Sequence, residues 1–82
     1  VLALQNATSL DLVKSGSRAV VKEILHKGGI ARRLYYMGLT PGTELEVVAN
    51  NGYGPVVVRI RDIEVSLGRG IARSILVEVI KE

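Results

Sequence analysis

The sequence predicts a small, mainly β barrel of about five strands, with one helix between the first and second strands and short helical turns elsewhere. Three observations carry this. The core must be aliphatic, because 12 Val, 7 Ile and 10 Leu stand among 82 residues with no Phe or Trp and 3 Tyr. The β-branched residues fall in short alternating runs, the period of a strand with one face buried. Turn residues separate these runs at close spacing, as they do in barrels and sandwiches. A barrel also removes free edges, which a flat sheet this rich in valine would leave open to aggregation.

Residues 1–8 carry no period and are expected to form a flexible N-terminus, with 9–82 as one domain. Ser9 is placed to N-cap a short turn through Leu10, Leu12 and Val13, ended by Gly16. Arg18–Lys27 alternates, with Val20, Ile24 and His26 on one face beside Lys22, and Ala19, Val21, Glu23 and Leu25 on the other. Gly28-Gly29 breaks that strand. Ile30, Leu34 and Met37 then share one helical face, with Arg32, Arg33 and Tyr36 off the stripe. Gly38 stands where helices end in a left-handed residue, and Thr40-Pro41-Gly42 is a turn.

Thr43–Asn50 reads as the second strand, with Leu45 and Val47 opposite Glu44, Glu46 and Val48. Asn50–Pro55 is the strongest loop signal. Val56–Arg61 and Asp62–Leu67 form a hairpin whose two-residue turn sets Arg59 opposite Glu64. Gly68–Ser74 is a turn or 3₁₀ piece, and Ile75–Ile80 is the last strand. Leu34, Met37, Val47, Val58, Val65 and Val77 are expected in the core.

Composition excludes several classes of function. Cysteine is absent, which removes disulfides, thiolate metal sites and cysteine nucleophiles together. The longest apolar runs have four residues, against the ~20 of a membrane span. No secretory signal is expected at the start. The net charge of +3 permits an anionic partner without demanding one, and acidic and basic residues interleave along the chain.

Gly68-Arg69-Gly70-Ile71-Ala72-Arg73 follows a strand like part of a dinucleotide fingerprint. Only nine residues remain after it, so no βαβ unit fits; the glycines are expected to allow a tight corner. His26 is the only histidine, and the spacing of Glu23, Glu44, Glu46 and Glu64 forms no ligand set around it. No serine carries a nucleophile-elbow signature, and no carboxylate pair suggests acid–base chemistry. Arg32, Arg33, Arg59, Arg61, Arg69 and Arg73, with Tyr36 and Tyr53, are the residues a nucleic-acid surface would need. Three tyrosines make a poor stacking platform, so a solvated mixed-charge surface is favoured.

Arg33-Leu34-Tyr35-Tyr36-Met37-Gly38-Leu39-Thr40-Pro41-Gly42 resembles the R-L-x-x-M-G-(I/L)-x-P-G signature of FeoA, the ferrous iron transport protein A family. Leu10 to Gly16 is similar to the family's opening pattern, and Gly28-Gly29 to its glycine pair before the helix. Gly54-Pro55 sits at its glycine/proline loop, and Leu67–Ala72 with Ile75 and Val77 resembles its closing pattern. The resemblance spans about residues 9–79. Within it, Leu34, Met37, Gly38, Pro41 and Gly42 are structural, closing the helix and turning the chain into the next strand.

The resemblance implies an SH3-like barrel, like the C-terminal domain of some metal-dependent repressors. It also implies a cytoplasmic, non-enzymatic accessory of the GTP-dependent ferrous iron permease. The partner is then the permease's cytosolic part, with contacts expected around Arg32, Arg33, Tyr36 and Tyr53. No resident cofactor is expected, with at most weak Fe(II) association. Two alternatives stand beside this reading: a basic barrel that binds nucleic acid, and an Fe(II) sensor or carrier using His26 and surface carboxylates.

Overall fold

The structure, a computed structural model, describes residues 7–26 and 28–81. The chain runs β1 (Ala7–Ser9), a 3₁₀ turn (Leu10–Leu12), β2 (Arg18–Ile24), α1 (Gly29–Tyr36) and β3 (Glu44–Ala49). It continues through β4 (Val56–Ile60), β5 (Ile63–Leu67), α2 (Arg69–Arg73) and β6 (Ile75–Lys81). All strands belong to one sheet in the order β1-β6-β2-β3-β4-β5, every pair antiparallel. The sheet has six strands rather than five. The additional one, β1, sets Ala7 opposite Glu78 and Thr8 opposite Val77. No periodicity announced it, because its partner strand rather than its own pattern specifies it. Residues 1–6 of the expected flexible N-terminus lie outside the described residues.

Alternation is sufficient for β3 and β4. Leu45 and Val47 are buried, as are Val56, Val58 and Ile60, while Glu44, Glu46 and Arg59 stand on the outer face. The β4–β5 hairpin closes at Arg61-Asp62 with φ of 52° and 70°, the two left-handed residues of a type I′ turn. It sets Arg59 opposite Glu64, as the spacing predicts. Val65 is only half-buried, because β5 is the end strand of the sheet.

The register of β2 slips between Val21 and Glu23. Ala19, Val21 and Ile24 therefore all enter the core, although simple alternation puts Ile24 on the opposite face from the other two. A bulge has this effect, adding one residue and reversing the faces beyond it. Ser9 is extended and makes no side-chain cap, so the 3₁₀ turn is held instead by Leu10, which is fully buried.

Helix α1 ends as its sequence predicts and buries less than expected. Gly38 has φ of 96°. The Leu39 amide donates to the Leu34 carbonyl at 2.9 Å and the Gly38 amide to the Tyr35 carbonyl at 3.0 Å. These two bonds form a Schellman cap, whose usual apolar contact joins the residue after the glycine to the last turn. Here that contact is Leu34 with Leu39, both in the core. Met37, expected in the core, is instead 39% exposed, as is Ile30. The chain turns sharply after Met37 and seats Leu39 in the interior in its place. The core is completed by Leu10 of the 3₁₀ turn, Val13, Leu67 of β5, Ala72 of α2, and Ile75 and Val77 of β6.

Two stability measurements test this architecture. Leu39→Ala should cost about 2–5 kcal/mol in chemical denaturation, whereas Met37→Ala should cost under about 1 kcal/mol. Replacing Arg61-Asp62 by Asn-Gly should raise stability by roughly 1 kcal/mol, because both positions adopt the left-handed conformation that branched L side chains resist. A lower unfolding midpoint in the Asn-Gly variant would contradict the turn.

Candidate functional site

The stripe of α1 left outside the core faces a depression. Ile30, Arg33, Leu34 and Met37 form one wall, Ser66 and Leu67 of β5 the floor, and Gly68 and Ile71 of α2 the other wall. The cavity measures about 210 Å³.

Position of α2 depends on one side chain. Arg69 donates from Nε to the Gly54 carbonyl at 3.0 Å, from Nη1 to the Asp11 carbonyl at 3.0 Å and from Nη2 to Asn50 Oδ1 at 2.6 Å. Asn50 completes the knot by donating from Nδ2 to the carbonyls of Asp11 at 3.0 Å and Val13 at 2.7 Å. Its backbone amide donates to Ser15 Oγ at 2.8 Å. One planar guanidinium thus ties α2, the 50–55 loop and the 3₁₀ turn together, a geometry that lysine cannot supply. The sequence reading assigned this corner to its glycines. The missed signal was a long, forked donor set between two glycines beside an asparagine-rich loop.

Of the four expected contact residues, only Arg33 lines the groove. Arg32 and Tyr36 are exposed on α1 outside the groove lining, Tyr36 at 82%. Tyr53 does not line the groove. It stands exposed on the loop that Arg69 ties from the far side of α2.

Charge is distributed unevenly over the fold. On the outer face of the sheet nearly every cation has a carboxylate. Arg18 pairs with Glu44 at 2.9 Å, Lys22 with Glu78 at 3.3 Å, and Arg59 with Glu64 at 2.8 Å and Glu46 at 3.2 Å. The Glu64 hydrogen bond, opposed by some loss of hydration and helped by the nearby Glu46 charge, holds the Arg59 guanidinium pKa above its ordinary value. The second depression, about 260 Å³, lies on this face among Arg18, Glu44, Glu46 and Arg59. Two of its carboxylates, Glu44 and Glu46, are engaged by Arg18 and Arg59.

The helices differ. No Asp or Glu occurs between Glu23 and Glu44, or between Glu64 and Glu78. Arg73 of α2 approaches Asp11 at 3.7 Å. Arg32 and Arg33 make no ion pair among the described residues. Interleaving along the sequence therefore becomes balance on the sheet and two unpaired arginines on α1 among the described residues, of which Arg33 lines the groove.

Among the described residues no three His, Cys, Asp or Glu side chains converge, and His26 is half-buried at the end of β2. No hydrogen bond joins His26 to a serine among the described residues. No described helix is long and apolar enough to cross a membrane.

The geometry defines a class: a small antiparallel sheet domain with an apolar groove lined by Arg33 between its two helices. The comparisons identify the family. Residues 8–79 match the FeoA domain, and the chain belongs to that family. It is 36% identical over 69 residues to a protein of Methanocaldococcus jannaschii assigned as Fe(2+) transport protein A, covering 84% of this chain and 83% of the relative.

Solved structures agree on the fold. The FeoA-like protein of Clostridium acetobutylicum superposes with a TM-score of 0.80 at 30% identity, covering 95% of this chain and 92% of that one. FeoA of Stenotrophomonas maltophilia, solved with zinc and described as a prokaryotic SH3 domain protein, superposes at 0.75 and 29% identity, covering 87% and 89%. The fold is SH3-like, in agreement with the sequence reading.

The Arg69 knot yields a prediction. Arg69→Met keeps the stem and removes the fork, leaving Asn50 Oδ1 and two carbonyls short of a donor. It should cost about 2–3 kcal/mol, and Arg69→Lys should recover less than half of that. Thermal unfolding checks both, with an expected midpoint drop on the order of 10 °C for Arg69→Met.

Proposed function

We propose that the protein is a non-enzymatic accessory of ferrous iron uptake that acts from the cytoplasm by docking on the cytosolic part of the GTP-dependent Fe(II) permease. Membership of the FeoA family supports the transport assignment. The M. jannaschii relative carries an Fe(2+) transport name, and the S. maltophilia relative is named in connection with activation of bacterial ferrous iron transport. The single observation that carries the docking reading is the open apolar groove lined by Arg33, which no described carboxylate neutralises. A lone apolar residue in water needs no explanation, but a concave apolar site rimmed by charge marks an interaction surface.

In this reading Fe(II) is the permease's cargo. The protein holds no resident metal, and any Fe(II) association through His26 and scattered carboxylates is weak. Arg33 and Tyr36 make central contacts, Arg32 borders them, and Tyr53 touches the partner at the margin beyond α2. Nucleic-acid binding is disfavoured because two of the arginines such a surface would need are tied up. Arg59 is paired with glutamates, and Arg69 is committed to loop carbonyls.

Amide NMR during titration with the permease's purified cytosolic GTPase domain tests this. Shifts should cluster on residues 30–37 and 66–71, and Arg33→Ala and Tyr53→Ala should each weaken the complex several-fold. Absence of shifts would remove the cytosolic domain as the docking partner. Unchanged affinity in both variants would remove those residues as contacts. A parallel titration with DNA and RNA should show no steeply salt-dependent complex.

A further inference from the structure

We infer that the groove receives one apolar side chain of an amphipathic, acid-flanked segment of the partner protein, and that Arg33 pairs with a carboxylate of that segment. This rests on the docking reading above and specifies the chemistry of what docks. Size gives the first argument. At about 210 Å³ the cavity falls below the roughly 300–1,000 Å³ typical of small-molecule sites, and suits a single inserted side chain. Its walls are apolar, with Ile30 and Met37 each 39% exposed and Ile71 half-buried. A bilayer surface is too flat to enter such a concavity.

Charge gives the second argument. Both segments that wall the groove lack acidic residues entirely, from Ile24 to Thr43 and from Val65 to Val77. On the sheet face the same chain gives its arginines intramolecular carboxylates at 2.8–3.2 Å. Arg33, in the groove wall, has none among the described residues, so the complementary charge is left for the partner to bring. The guanidinium fork matches a carboxylate two bonds at a time, which fixes the orientation of a segment as well as attracting it. An apolar anchor flanked by charge is how amphipathic helices bind grooves.

The experiment measures binding of the full chain to the full-length ferrous iron permease in nanodiscs containing anionic lipid, with empty nanodiscs of the same lipid in parallel. Three variants are compared with the unaltered chain. Arg33→Glu reverses the charge at the rim, Met37→Glu puts a charge in the groove, and Arg61→Glu makes the same net change as the first elsewhere. All three positions are exposed, and the amide spectrum of each variant checks that it is folded. The first two variants should each lose about tenfold or more in affinity, as hot-spot replacements do. The third should stay within about twofold, and raising salt should slow association of the unaltered chain more than of the rim variant.

Failure to bind the permease at all would overturn the docking reading and this inference with it. Binding unaffected by both site variants would keep the docking reading and overturn the groove as its seat. A loss with Met37→Glu but not with the rim reversal would overturn the acidic chemistry. Equal losses on empty nanodiscs would show that the arginines contact lipid, and overturn the protein segment as occupant.

Discussion

The left-handed turn at Gly38 decides what α1 buries. A helix of eight residues has few turns to commit to a core, and its last turn is normally where the commitment is made. Here the chain reverses immediately after Met37, and the two reverse hydrogen bonds to Leu34 and Tyr35 fix the direction of exit. Leu39 then enters the interior beside Leu34, and Met37 is left half outside. The glycine is required by its backbone alone. A β-carbon at Gly38 would meet only Ile60 Cγ2, at an ordinary 3.8 Å, so space is not the constraint. Met37, left outside the core by this reversal, lines the groove.

Legibility in the sequence followed how local the determinant was. Leu45, Val47, Val56, Val58 and Ile60 alternate without interruption, and their faces were readable from the period alone. The Arg61-Asp62 turn was readable from the two runs it joins, and with it the Arg59–Glu64 pair. The β2 bulge was not readable, because it is imposed by the registers of two neighbours rather than by Val21-Lys22-Glu23 itself. The stripe of Ile30, Leu34 and Met37 was correctly found as a face, but periodicity cannot say that only its middle member is covered. The Arg69 knot was invisible for the same reason: its acceptors lie 15, 19 and 58 positions away. At the site, Arg33 and Tyr36 could be proposed from their place off the stripe, whereas the groove required α2 to be positioned first.

Division of charge follows the same structural logic. Adjacent antiparallel strands place residues directly opposite one another, so glutamates on β3 and β5 neutralise Arg59 on β4 without any further device. Such exposed pairs contribute little stability; their larger effect is to leave the sheet surface with no strong field. The helices have no cross-strand partners. A sequence with eight carboxylates could have placed some on α1, and none is there. Among the described residues α1 therefore keeps Arg32 and Arg33 without carboxylate partners, and Arg33 lies where the apolar groove opens.

Rigidity connects the knot to the groove. The groove's second wall is α2, a helix of only five residues that could not hold its own conformation in isolation. Arg69 faces away from the groove and anchors that helix through three bonds to segments distant in sequence, while Ile71 and Gly68 face into it. Ordering a wall at the moment of binding would subtract from affinity; a wall ordered beforehand does not. A polar side chain on one side of α2 thus sets the shape of an apolar site on the other. Loss of the Arg69 fork should consequently loosen the groove as well as the fold, whereas removal of Met37 should alter the groove and leave the fold nearly untouched.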